Sequence, residues 1–192
     1  CPPYPGVLTG GGNSALTAYA TYCGAVAARY GPGGTFWSTY VGTARPVHNF
    51  EVWNEEYVYN ASQKWISGTL TPQYSNPAAY AAIYNAAAAQ IRSHTGCKAA
   101  AGVCLQTWNS ATPGAEYLST FLANVTQPVH LVSVHPYVLN NLAASYVPSV
   151  STDRWKYFTQ VADIRTMLDA NSHASTDLWI TEIGWFVESS PG

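Results

Sequence analysis

Apolar and polar positions along the chain fall into eight alternating segments. Residues 14–30, SALTAYATYCGAVAARY, space their apolar side chains three and four apart behind a capping Ser14 and stop at GPGG, which predicts a helix. HNFEVW (48–53) is a short apolar run and reads as a strand ending at Asn54. Asn76 then caps, and Pro77 opens, an Ala-rich helix over residues 77–94; proline suits the first helical position because its fixed φ is already helical and its missing N–H is not needed there. KAAAGVC (98–104) is a second strand and GAEYLSTFLAN (114–124) a third helix. HLVSVHPY (130–137), closed by Pro136, is a third strand, residues 152–171 a fourth helix, and LWITEIGW (178–185) a fourth strand.

Apolar strands alternating with helices of crossover length predict an α/β fold with about four parallel strands, buried on the side the helices cover. No internal repeat, low-complexity tract or linker divides the chain, so residues 1–192 read as one unit. Composition sharpens the picture. Only 9% of residues are charged and the net charge is −2, which leaves no basic patch for nucleic acid. No apolar run approaches the roughly 20 residues of a membrane-spanning helix. A surface polar through hydroxyls and amides rather than charge suits an extracellular or cell-surface protein acting on neutral polymers.

Against that background two acids stand out. Glu55 follows the first strand and Glu182 ends the fourth, although buried strands avoid ionised groups because an unpaired buried charge is costly. In a barrel of parallel strands the C-terminal strand ends share one cleft, where residues distant in sequence converge. Two carboxylates in one cleft can cleave a glycosidic bond, one as acid and base and the other as nucleophile. Their neighbours fit that chemistry. Asn54 can hydrogen-bond a sugar hydroxyl, Trp53, Trp185 and Tyr137 offer flat apolar faces to sugar rings, and His135 ends the third strand within reach of a carboxylate.

The motifs WNE at one strand end and ITEIGW at a later one resemble the acid/base and nucleophile motifs of the large clan of retaining glycoside hydrolases with a (β/α)8, or TIM-barrel, fold. AARYGPGGTFW, EVWNE, NPAAYAAIYNAAAAQIR and VSVHPY, in that order, are similar to its β-xylosidase-like branch, family 39. The resemblance implies that Glu55 is the acid/base at barrel strand four and Glu182 the nucleophile at strand seven. It implies a sugar-positioning role for Asn54 and sixth-strand places beside the nucleophile for His135 and Tyr137. One local departure is Glu56, where many members carry proline. The larger departure is length: 192 residues against about 250 for a typical barrel, with no counterpart to strands one to three or eight. The expectation is therefore a partial catalytic domain of strands four to seven, completed by flanking sequence or by a second copy of the chain. A non-catalytic carbohydrate-binding or structural module derived from such an enzyme is the alternative.

The remaining candidates read as structural. Glu56 is a solvated loop residue; His48 and His130 lie at strand starts; Tyr22, Tyr30 and Tyr80 fall in helical patterns as packing residues; Asp163, Asp169 and Arg165 form a solvated helix face. No cofactor is expected, and the spacing of Cys1, Cys23, Cys97 and Cys104 suits no zinc site. Cys97 and Cys104 flank a strand that would hold them roughly 23 Å apart, too far for a disulfide. Cys1 and Cys23 either bridge or remain thiols. Asn60 and Asn124 head glycosylation sequons.

Overall fold

The computed structural model describes residues 13–54, 77–102, 113–136 and 160–183. Its elements follow the predicted alternation: α1 (Asn13–Tyr30), a short α2 (Thr35–Thr39), β1 (Asn49–Val52), α3 (Pro77–Arg92), β2 (Lys98–Gly102), α4 (Pro113–Asn124), β3 (Leu131–Val134), α5 (Gln160–Ala170) and β4 (Asp177–Ile180). Helix α3 starts at Pro77, as its sequence requires. The five-residue α2 is too short to show a helical period and was not expected.

The strands form one all-parallel sheet in the order β1-β2-β3-β4. Register runs Val52 to Ala101, Ala101 to Val132 and Val132 to Leu178. Sequential order matters, because right-handed crossovers between successive neighbours put every crossover helix on the same face. The core agrees with that topology. Val52, Ala99, Ala101, Val132 and Val134 all point to one side, where they meet Tyr80, Ile83, Tyr84, Ala87 and Ile91 of α3, Leu118, Phe121 and Leu122 of α4, and Ile164 and Leu168 of α5. Alanine at the β2 positions leaves room for the tyrosines of α3, and each fully buried large side chain contributes about 1.5–3 kcal/mol.

Helix α1 packs on α3 rather than on the sheet. Its inward stripe is Leu16, Tyr19, Ala20, Cys23 and Ala27. Tyr22 was expected to pack, yet it is 65% exposed, because it projects from the side of the helix opposite that stripe. Cys23 and Cys97 carry free thiols, Cys97 buried and Cys23 half-buried, while Cys1 and Cys104 lie outside the described residues. His48 and His130 do sit just before β1 and β3, and Arg165 pairs with Asp169 at 2.6 Å on α5.

Candidate functional site at the strand C-termini

The opposite face of the sheet is chemically different. Counting by two from the core positions, it receives Glu51 from β1, Ala100 and Gly102 from β2, Leu131 and Ser133 from β3, and then His135 just beyond β3. Ser133 donates a hydrogen bond to the Glu51 carboxylate across the intervening strand. That reach depends on Gly102: a Cβ there would stand 2.9 Å from Glu51 Oε1 and 3.6 Å from Ser133 Oγ. A missing side chain on the middle strand thus lets a carboxylate and a hydroxyl meet over it.

At the far end, His135 and Glu182 come together. His135 is 4% exposed, and its Nε2 lies 3.1 Å from Thr181 Oγ1 and 3.6 Å from Glu182 Oε1. The Glu182 side chain is 42% exposed, so one carboxylate oxygen faces a buried imidazole while the group stays open to solvent. Because β3 and β4 are in register with Val134 opposite Ile180, His135 falls opposite Thr181, and Glu182, one residue further on, reaches the same imidazole.

At the other edge, β1 ends in an unusual backbone. Trp53 has φ = 70°, a left-handed conformation that is a genuine outlier for a bulky residue. The preceding peptide unit is held at both ends by helix side chains. Tyr80 of α3 donates to Val52 O at 2.8 Å and accepts from Gly102 N–H at 2.9 Å, bridging the last rung of β1 and β2. Tyr19 of α1 accepts from Trp53 N–H at 3.0 Å, and its ring meets the Trp53 ring edge-on at 5.3 Å. Burial, and then the neighbouring Cys23, holds the Tyr19 phenol well above its usual value, so it stays protonated. Trp53 is half-buried by this contact, and Asn54 after it is exposed.

Of the residues expected at the site, His135 and Glu182 are in contact, while Trp53 and Asn54 occupy the exit of β1, three strand spacings away, or ~14 Å along a flat sheet. Glu55, Tyr137 and Trp185 lie outside the described residues. Sequence reasoning passed over Glu51, Gly102 and Ser133. The signal was available: Glu51 is a carboxylate inside an apolar strand, and Gly102 and Ser133 are the small and polar residues of the next two strands in the sheet. Tyr80 was read as packing only, whereas its hydroxyl joins two strand ends.

Among the described residues no group of three or more His, Cys, Asp or Glu side chains is placed to hold a metal ion. No described helix is long and apolar enough to cross a membrane. Compared with protein-family models, with curated proteins and with solved structures, the chain shows no match.

Proposed function

We propose that this protein is a retaining glycoside hydrolase acting on O-glycosidic bonds of poly- or oligosaccharides, with Glu182 as nucleophile and Glu55 as acid/base. The observation that carries the reading is the pairing of Glu182 with His135 beyond the C-terminal ends of adjacent parallel strands. In enzymes built on parallel α/β barrels, this is the end where catalytic groups collect. The sequential, singly wound sheet supports the companion proposal that these are four strands of a (β/α)8 barrel. Flanking sequence or a second copy would supply the rest, and the face carrying Glu51, Ser133 and His135 would become the barrel interior.

In the first step a Glu182 oxygen attacks the anomeric carbon as the glycosidic bond breaks, and Glu55 delivers its proton to the departing oxygen. In the second, the Glu55 carboxylate takes a proton from water, whose oxygen attacks the same carbon and releases Glu182. His135, anchored on Thr181, orients the nucleophile by facing one oxygen of its carboxylate at 3.6 Å. Asn54 binds a hydroxyl of the sugar, with Trp53, Tyr137 and Trp185 as ring platforms.

Hydrolysis of a panel of aryl glycosides tests this directly. Glu182→Gln should abolish turnover even of activated substrates, since no covalent intermediate can form. Glu55→Gln should spare substrates whose leaving group needs little protonation and cripple the others. Parental rates in both variants would refute the assignment. Polysaccharide binding without any turnover by the parent would instead favour the non-catalytic module. An experimental structure should place the two carboxyl groups roughly 5–5.5 Å apart, and a separation near 10 Å would exclude a retaining pair.

A further inference from the structure

The peptide unit joining Val52 to Trp53 carries an arrangement that strand formation does not require. Its carbonyl and its N–H each meet a tyrosine hydroxyl, from α3 at 2.8 Å and from α1 at 3.0 Å. These helices stand on opposite sides of β1 in sequence and pack on each other. The same unit precedes the left-handed Trp53. A bulky residue holds such a conformation only where its surroundings over-determine it, and such residues cluster at functional sites. Rotating the 52–53 peptide by half a turn would carry φ of Trp53 from 70° to the ordinary negative side. It would also swing the carbonyl and the N–H away from the two hydroxyls. Tyr80 is further fixed by Gly102 N–H at 2.9 Å and by its ring stacked on Phe121 at 5.0 Å. Tyr19 is fixed by its edge-on contact with the Trp53 indole.

We propose that Tyr19 and Tyr80 are positioning residues: together they clamp the Val52–Trp53 peptide, hold Trp53 in its left-handed conformation, and so set the direction in which the chain leaves β1 and presents Asn54. The kinetic consequence rests on the glycosidase reading; the structural consequence does not. The two tyrosines touch neither sugar nor reacting atoms. They act through the backbone, so removing a hydroxyl should change how well Asn54 is aimed more than how much substrate is bound.

The test is Tyr19→Phe, Tyr80→Phe and the double variant, each of which keeps the ring and its packing. Crystal structures read the clamp without reference to activity: the double variant should show Trp53 at negative φ with Asn54 displaced. Trp53 remaining near 70° would overturn the proposal. On an aryl glycoside hydrolysed by the parent, kcat should fall about 10-fold for each single variant and about 100-fold for the double, with KM changed far less, the scale of loss expected from ångström misplacement. A rise in KM at unchanged kcat would likewise overturn it. A parent that hydrolyses no glycoside refutes the proposed function but not the clamp, which the backbone angle then decides. Should the double variant fail to fold, the single variants carry both readings.

Discussion

Truncating Phe121 to alanine should remove a large part of the protein's stability. Phe121 of α4 is fully buried, with its ring stacked on Tyr80 at 5.0 Å and edge-on to Tyr84 at 5.6 Å. Those two tyrosines are more than packing. Tyr80 reaches Val52 O and Gly102 N–H, and Tyr84 reaches Pro128 O at 2.9 Å. Phe121 is thus the wedge that keeps both phenols aimed at the backbone they join. Deleting a buried phenylalanine costs about 3–5 kcal/mol in lost transfer energy and cavity formation. Each aromatic pair is worth about 0.5–1.5 kcal/mol beyond its area, which puts Phe121→Ala at the upper end, near 5 kcal/mol. Domains hold only about 5–15 kcal/mol in total. Guanidinium unfolding followed by far-UV circular dichroism should show the midpoint collapse with an unchanged slope. The melting temperature should drop by roughly 10–20 °C, at about 2–4 °C per kcal/mol for a chain of this size. A loss below about 2 kcal/mol would mean that the ring is not wedged between the tyrosines and would remove the packing argument for Tyr80. Phe121→Leu, which keeps much of the volume, should cost distinctly less.

Three further outcomes are expected. Gly31→Ala would place a Cβ 2.6 Å from Ala27 O and 2.5 Å from Cys97 Sγ, and since the first is backbone, thermal melting should reveal a loss of about 1–3 kcal/mol or more; a parental melting point would refute the contact. His130 is held below its ordinary pKa by burial, then by Arg92 and Lys98 against the opposing pull of Asp177, and His173 by burial. Their contribution to stability is therefore complete above the unfolded value of about 6.5 and is lost as pH falls below it, because the unfolded chain then binds more protons. The double variant His130→Gln/His173→Gln should flatten the fall in melting temperature between about pH 7 and pH 5, and an unchanged slope would count against both shifts. Arg165 holds Asp169, Thr176 O at 2.6 Å and His173 O at 2.9 Å with one planar fork, which lysine cannot reproduce, so Arg165→Lys should cost about 1–2 kcal/mol in denaturant titrations, and parental stability would argue against the fork.

The alternation of elements was legible because each carries its own local signal. Pro77 opens α3, small apolar residues make β2, and the described strands lie within the stretches their hydrophobicity predicts, to within a residue or so. What local signals miss is the partner. Helical spacing alone put Tyr22 among packing residues, and only the docking of α1 on α3 decides which stripe is buried. The left-handed Trp53 is equally silent in sequence, since nothing in the residue itself favours that conformation; two tyrosine hydroxyls, one 34 and the other 28 residues away from the atoms they bind, are what hold the peptide before it.

The candidate site divides in the same way. Glu182 could be picked out because an acid at the end of an apolar strand contradicts the strand's own preference, and His135 because it ends the strand before. Glu51 is as anomalous, but it sits within a short stretch, HNFEVW, whose Phe50, Val52 and Trp53 dominate the local pattern. A parallel sheet with all its helices on one face does not need apolar residues on the other. There the requirement is only that each polar group find a partner, and Glu51 finds Ser133 over the bare backbone of Gly102. On the same face His135 finds Thr181 and Glu182. The side of the sheet away from the core therefore carries two separate polar pairings, Glu51 with Ser133 and His135 with Thr181 and Glu182, beside the apolar Ala100 and Leu131, while most of the apolar core lies on the helix side. The bulk of the apolar core and the polar pairings of the candidate site thus lie on opposite faces of the described sheet. A substitution such as Phe121→Ala should consequently be felt at the site only through the Tyr80 phenol that passes between the two.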